Sequence, residues 1–306
     1  MRWLMLCREP RLYSCLRLKE ACEEQGIQLD IFDPNRMLLK LDIEQGKPVF
    51  QLFYQEGERY NKNRKSVYLL PEYAAVLPRF GSSSTEMGCR VLQHFESQQI
   101  KVLNRAEAFR LARDKWQSLQ KLLASDIPVP MSSLAGSEVS NTELLALHQY
   151  PLIAKTLSGS QGVGVMLIEN QRSGQSILDT LKQANLPVLT QHFIAESKGQ
   201  DIRAFVIGNQ VVAAIQRQSS EGEFRANLHQ GGSAKKIELG ETEKQIALNA
   251  AKAIGLDVAG VDLLRSHHGT VVLEVNASPG LEGIETATGL NIAKMMVDYL
   301  LDMKSK

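Results

Sequence analysis

The sequence predicts an α/β chain that turns α+β in its C-terminal half. Up to about Ile100, short apolar runs alternate with segments of helical period, the pattern of parallel strands joined by crossover helices. From Val188 onward most apolar runs follow one another directly, and Gly208-Asn209 is a strong hairpin turn between two of them. With 306 residues the chain can fill two or three small domains with hydrophobic cores.

Trp3–Cys7 reads as a first buried strand, and Leu12, Cys15, Leu16 and Cys22 line one side of a helix that ends at Gly26. Ile27–Phe32 is a second strand, closed by Asp33-Pro34. The polar stretch from Arg36 to Lys65 is irregular and suits a hairpin excursion. Ala74–Leu77 leads into Pro78-Arg79-Phe80-Gly81. A helical stretch from Arg105 to Ser125 stops before Pro128 and Pro130. Strands at Leu152–Lys155 and Val165–Ile168 flank a loop, and a helix follows around Ser173–Ala184. Strands Val188–Phe193, Ile202–Ile207 and Gln210–Gln216 precede a helix at Glu241–Ile254, two more strands, and an amphipathic helix from about Leu290 to Met303.

Lys and Arg total 35 against 34 Asp and Glu, a net charge of +1, which argues against direct nucleic-acid binding through bulk charge. The apolar run Met1–Cys7 is cut short by Arg8 and Glu9, too soon for a signal-peptide core. No run approaches the roughly 18 apolar residues of a membrane span. Cys7, Cys15, Cys22 and Cys89 form no Cys-x-x-Cys pair and read as reduced core cysteines of a cytoplasmic protein.

The segment from Ala259 to Asn276 carries the most chemistry. Two apolar runs flank a turn at His267-His268-Gly269. With the hairpin centred on His268, Asp262 and Glu274 oppose each other on one face, and Asn276 shares it. Hard divalent cations such as Mg²⁺ favour such oxygen donors, completed by substrate phosphates. The loop Ser158-Gly159-Ser160-Gln161-Gly162-Val163-Gly164 would let backbone N–H groups approach phosphates, although it has neither the ending of a P-loop nor a following helix. Lys155 sits in an apolar strand, where an ammonium needs an anionic partner, and Lys115 opens a helix that could reach the same place.

These pieces resemble the ATP-grasp superfamily, and within it the RimK-type α-L-glutamate ligases. The resemblance runs through Tyr13-Ser14-Cys15-x-Arg17-Leu18, Ala112-Arg113-Asp114-Lys115 and Gly159-x-Gln161-Gly162-Val163-Gly164-Val165. It continues through Gly199-x-Asp201-Ile202-Arg203, Phe224-Arg225-x-Asn227-Leu228-His229-x-Gly231-Gly232, Asp257-Val258-Ala259-Gly260-Val261-Asp262 and Glu274-Val275-Asn276-Ala277-Ser278-Pro279-Gly280-Leu281-Glu282-Gly283-Ile284-Glu285.

The resemblance implies a three-domain ATP-grasp fold: an N-terminal domain over 1–100, a central one over 101–190 and a C-terminal one over 191–306. The nucleotide would lie between the last two. Asp262, Glu274 and Asn276 would hold two Mg²⁺ or Mn²⁺ ions. Lys115 and Lys155 would meet the ATP phosphates, and Ser160, Gln161 and Gly162 would close over them, in a loop that orders when nucleotide binds. Gln191, His192, Phe193 and Ile194 would hold the adenine, largely through backbone groups; the family usually has Glu where His192 stands. Asp201 would bind the ribose. Arg225, with Ala226 and Asn227, would lie at the phosphoryl-transfer end, and Arg203, Asn227 and Asn276 would face substrate. Arg225 and Lys155 are the catalytic candidates.

The implied reaction is addition of L-glutamate to the C-terminal carboxylate of a small-subunit ribosomal protein, with poly-α-glutamate synthesis as a related activity. An acyl phosphate would activate the carboxylate before amine attack. A different acceptor, such as a deazaflavin glutamyl tail or an amino-group carrier protein, fits the same residues. So does a nucleotide-binding regulatory module, since fold alone does not fix function. The family likeness also suggests a homo-oligomer, a tetramer.

Overall fold

The computed structural model describes residues 1–57, 66–157, 164–220 and 231–303. Strand β1 (Arg2–Leu6), helix α1 (Tyr13–Glu24) and β2 (Gln28–Phe32) open the chain, followed by β3 (Met37–Glu44), β4 (Lys47–Tyr54), β5 (Tyr68–Leu69), β6 (Ala75–Pro78), α2 (Thr85–Glu96) and β7 (Lys101–Val102). Next come α3 (Ala106–Arg113), α4 (Lys115–Leu123), β8 (Ser132–Leu134), α5 (Asn141–Ala146), β9 (Leu152–Thr156), β10 (Val165–Ile168), α6 (Gln171–Gln183) and β11 (Val188–His192). The chain continues through β12 (Gln200–Ile207), β13 (Gln210–Gln218), β14 (Ser233–Lys236), α7 (Glu241–Ile254), β15 (Val258–Ser266), β16 (Gly269–Asn276), α8 (Glu282–Thr288) and α9 (Ile292–Asp302).

Four sheets result. The first is parallel, in the order β2-β1-β6-β7, as the strand-helix alternation predicts. The second is antiparallel, β10-β9-β11-β8, and the third is β14-β13-β12-β15-β16. Of the irregular stretch from Arg36 to Lys65, Met37–Tyr54 form a hairpin, β3–β4, joined by Gln45-Gly46 with both φ angles positive, which pairs with β5, while 58–65 lie outside the described residues. Among the described residues no helix is long and apolar enough to cross a membrane.

Two expectations need correction. The stretch 105–125 is two helices, because the Asp114 carboxylate accepts from the N–H groups of Trp116 and Gln117 and caps α4 at its own position. In α1 the buried stripe is Cys15, Leu18 and Cys22, joined by Ser14 and Ala21, whereas Leu12 and Leu16 are exposed. Leu12 precedes the first turn, and Leu16 lies about 100° round from Cys15. All four cysteines are buried and unbridged.

The third sheet is buried on both faces. Ile202, Ala204 and Val206 of β12 join one core with Ala247, Ala250, Ala251 and Ile254 of α7. Phe205 and Ile207 point the other way, into a core with α8, α9 and the first sheet. Each Ile, Val or Phe side chain here contributes about 1.5–3 kcal/mol when fully buried, and each Ala less. Helix α7 stops at Gly255, whose φ of +86° is the left-handed cap that favours glycine.

Polar pins fasten the first sheet to the third. Asn104, 1 % exposed, donates to the carbonyls of Val258 and Ala277 at 2.7 and 2.8 Å. Its Oδ1 accepts from the N–H groups of Asp257 and Val258 at 2.9 and 3.0 Å. Buried Glu285 of α8 accepts from Tyr13 and Arg17 of α1, each at 2.9 Å, and from the Ala293 N–H of α9. Replacing Asn104 by Ala leaves four buried backbone groups without partners and is expected to cost about 3–5 kcal/mol. Urea unfolding checks this; a loss within error of zero would show that Asn104 is no pin.

Candidate nucleotide and metal site

The acidic edge depends on one irregularity. The turn between β15 and β16 is His267-His268, closed by Ser266 opposite Gly269. Counted from that turn, Asp262 would face Leu273. A bulge between Asp262 and Leu263 shifts the register by one, so that Asp262 faces Glu274. His267 and His268 are exposed turn residues, as expected.

Register then builds a charged row across one face of the third sheet. Asp201 opposes Arg217, Arg203 opposes Asp262, and Asp262 opposes Glu274. Asn276, two residues on in β16, donates from Nδ2 to Glu274 Oε1 at 3.1 Å, which turns its own oxygen away from that carboxylate. The sheet's other charges close on Asp262. Arg203 contacts both of its oxygens at 2.7 Å, and Arg217 Nη2 reaches Oδ2 at 2.8 Å. Arg217 also forks onto Asp201 at 2.6 and 2.7 Å. Burial would raise the Asp262 carboxyl, but Arg203 and Arg217 outweigh it and hold it at about 2. Burial pushes Asp201 up against the pull of Arg217. Burial likewise works against the charge on Arg217, and the two carboxylates overcome it.

Gly260 permits this packing. A Cβ there would lie 2.8 Å from Pro279 Cβ and 3.6 Å from Arg203 Nε.

The second sheet supplies the opposing cations. Lys155 of β9 donates to Gln191 Oε1 of β11 at 2.7 Å, and Gln191 Nε2 donates to Ser132 Oγ at 2.9 Å. Burial depresses Lys155 to about 8, opposed by the charges of Glu274 and Asp262. Lys115, at the start of α4, donates to the Leu157 carbonyl at 3.2 Å. It is depressed by burial and supported by Glu274. Both lysines thus feel Glu274, which sets the two sheets' charges across one cleft.

The adenine candidates are split. Gln191 is 2 % exposed and its side chain is engaged by Lys155 and Ser132. The His192 N–H donates to the Met131 carbonyl, so it serves the sheet. Phe193 and Ile194 follow, with Ile194 buried. Asp201 and Arg203, expected at ribose and substrate, are held in the ion-pair row. Ser160, Gln161, Gly162, Arg225, Ala226 and Asn227 lie outside the described residues.

Two side chains escaped the sequence reading. Arg217 continues the inward stripe Ala213, Ile215 of β13, and a charge in phase with buried residues was the available signal. Arg113 ends α3 beside Lys115, and its position looked like an ordinary basic last turn.

Among the described residues no three His, Cys, Asp or Glu side chains gather as a metal site. Glu274 and the Asn276 amide oxygen are hard donors that fit Mg²⁺ when phosphate and water complete the shell, and Asp262 joins them only if Arg203 and Arg217, which hold both of its oxygens, share it.

A RimK-like ATP-grasp domain model matches residues 112–300 and a RimK pre-ATP-grasp model matches 1–109. A protein of Haemophilus ducreyi called "Probable alpha-L-glutamate ligase" is 60 % identical over 304 residues, 99 % of this chain and 100 % of its own length. A RimK domain ATP-grasp protein of Sphaerobacter thermophilus superposes with a TM-score of 0.68 at 22 % identity, covering 98 % of this chain and 100 % of the other. A RiPP-associated ATP-grasp ligase of Chryseobacterium gregarium, in complex with ADP and a leader and core peptide, gives 0.70 at 17 % identity, covering 98 % and 96 %.

Lys155 yields a pH test. Its ammonium is present below about 8 and lost above, so affinity for a Mg²⁺-triphosphate should fall as pH rises through that value, by at most roughly ten-fold per pH unit. Lys155→Met should bind weakly at every pH. A wild-type Kd that stays flat across this range would remove Lys155 from the phosphate site.

Proposed function

Because the chain belongs to the RimK family of ATP-grasp ligases, we propose that it joins L-glutamate to a carboxylate of a protein acceptor, with ATP as the driving reactant. The observation that carries this reading is the cleft in which desolvated Lys155 and Lys115 face the oxygen donors Asp262, Glu274 and Asn276. Such a place suits a polyphosphate better than any neutral ligand, because the desolvated Lys155 ammonium is held by the neutral Gln191 oxygen while it feels the charges of Glu274 and Asp262. The name of the Haemophilus ducreyi relative supports glutamate as the added group. The peptide in the Chryseobacterium gregarium complex supports a polypeptide acceptor.

In this reading two Mg²⁺ or Mn²⁺ ions, held by Asp262, Glu274 and Asn276, would neutralise charge on the transferring phosphoryl group. Lys155 and Lys115 hold the phosphates, and Gln191 keeps the Lys155 ammonium aimed into the cleft. Ser160, Gln161 and Gly162 cover the phosphates, while Phe193 and Ile194 lie along the adenine. Asp201 reaches the ribose only if Arg217 shares it. Arg225, with Ala226 and Asn227, holds the phosphoryl oxygens, and Arg203 orients substrate through its contact with Asp262. A carboxylate is a poor acyl donor, so the acceptor is activated as an acyl phosphate before the glutamate amine attacks. The acceptor is the C-terminus of a small-subunit ribosomal protein. The division into segments 1–100, 101–190 and 191–306 belongs to the same reading, supported by the four sheets, although β7 carries the first sheet on to Val102 and β11 carries the second to His192.

ADP formation should require both glutamate and acceptor, and mass spectrometry should find glutamyl additions on the acceptor. ATP turnover that yields a stable phosphorylated product would instead make the protein a kinase. Arg225→Ala should keep nucleotide affinity while product formation falls by about two to three orders of magnitude. Unimpaired turnover would refute that role.

A homo-oligomer is part of the proposal. Strand β3 is an edge of its sheet and exposes Leu41 and Ile43, 69 % and 74 % accessible. Light scattering should report a mass above the monomer, and Leu41→Lys should lower it; a monomeric wild type ends this part of the reading.

A further inference from the structure

The parallel first sheet has a switch point in its strand order that the proposed reaction does not use. Its order β2-β1-β6-β7 reverses direction between β1 and β6, so the chain leaves these neighbouring strands on opposite sides. In open parallel sheets ligands bind at such a switch point, outside the carboxyl ends of the strands. Here those ends are Cys7-Arg8 and Arg79-Phe80, held together by the Arg79 N–H donating to the Leu6 carbonyl at 2.9 Å.

Arg79 is half-buried, and no hydrogen-bond or ion-pair partner engages its side chain among the described residues. Its charged neighbours are the thiols of Cys7 and Cys15 and the like charge of Arg113. Arg113 donates from Nη2 to the Phe80 carbonyl at 3.0 Å and lies 5.3 Å from the Phe109 ring centroid, with its buried Nε left without a partner. Arg113 feels the charge of Glu274 and Arg79 feels that of Arg113, so Arg113 stands between Arg79 and the acidic edge. Arg8, tied to Ser83 Oγ at 2.8 Å, stands at the rim. The thiols of Cys7 and Cys15 lie 3.2 Å apart beside this arginine, and Arg79 and the Glu9 N–H both favour a thiolate at Cys7.

Half-buried arginines side by side cost stability unless an anion joins them. Arg8 at the rim has Asp33 at 3.9 Å, but no carboxylate of the described residues contacts Arg79 or Arg113, whereas Arg203 and Arg217, on the third sheet, are fully paired. We propose that Arg79, backed by Arg113, binds a substrate carboxylate at the β1/β6 switch point and so holds one substrate beside the metal edge. This rests on the ligase reading. The guanidinium fork matches a carboxylate in a bidentate way. Two substrates of the reaction carry that group: free glutamate, and the C-terminus of the acceptor.

The test uses the full chain with Mg²⁺ and a non-hydrolysable ATP analogue. Calorimetry would measure binding of L-glutamate, and of a short peptide ending in Glu-Glu as free acid and as C-terminal amide. Arg79→Met should weaken one probe by at least roughly ten-fold, leave analogue affinity unchanged, and keep or raise Tm, because it removes an unpaired desolvated charge. A structural arginine would lower Tm instead. Arg79→Lys keeps the charge without the fork and should restore part of the affinity. Loss confined to glutamate assigns the site to the amine substrate; loss confined to the free-acid peptide assigns it to the acceptor. Unchanged affinity for both probes, no binding of either probe to wild type, or a fall in Tm with loss of analogue affinity, overturns the proposal. Wild type that binds a probe through Arg79 yet forms no product sinks the ligase reading alone.

Discussion

Asp262 is 2 % exposed, and a carboxylate so far from water costs several kcal/mol unless cations and hydrogen bonds replace its hydration. Arg203 and Arg217 meet that demand from two neighbouring strands, and Arg217 in turn requires Asp201. The pairing therefore ties β13, β12 and β15 to one register. A slip of one residue would turn these charges to the opposite face, among Ile202, Ala204 and Val261, and leave them unpaired. The bulge after Asp262 is the exception that completes the row, bringing Glu274 and Asn276 alongside.

The opposing wall is built on the contrary principle. Lys155 and Lys115 are desolvated, yet they contact neutral oxygens, from Gln191 and the Leu157 carbonyl. At Lys155 the neutral acceptor orients the ammonium without cancelling its charge, so its field remains available to an anion. Arg79 and Arg113 extend that positive field toward the first sheet. The third sheet balances Asp201, Asp262, Arg203 and Arg217 against one another, whereas Lys155 meets no carboxylate among the described residues.

Such a cleft keeps its geometry only if the first and third sheets stay docked. Asn104 satisfies four backbone groups at once, and Glu285 gathers α1, α8 and α9. These polar pins specify one docking geometry, which the apolar contacts of Phe205 and Met296 in the same interface strengthen without directing.

Local pattern alone predicted the parallel first sheet, the strand Val165–Ile168 and the helix Glu241–Ile254, whereas Asp262 opposes Glu274 because of a bulge and not because the hairpin is centred on His268 as expected. Local pattern did so because strand period, capping and turn chemistry act over a few residues. The break at Asp114 was legible in principle, as an aspartate that can cap, but helical period ran through it. The bulge was not legible, since an extra residue in one strand is defined only by its partner. Arg217, Arg113 and Arg79 gain meaning from charges on other elements: Asp201 and Asp262 for the first, Glu274 for the second, and, among the described residues, the lack of a carboxylate contact for the third. By itself the sequence determined which donor types the cleft contains and which strands carry them. Tertiary structure alone decided which charges are cancelled and which are left for a ligand, because desolvation and pairing depend on neighbours tens of residues away.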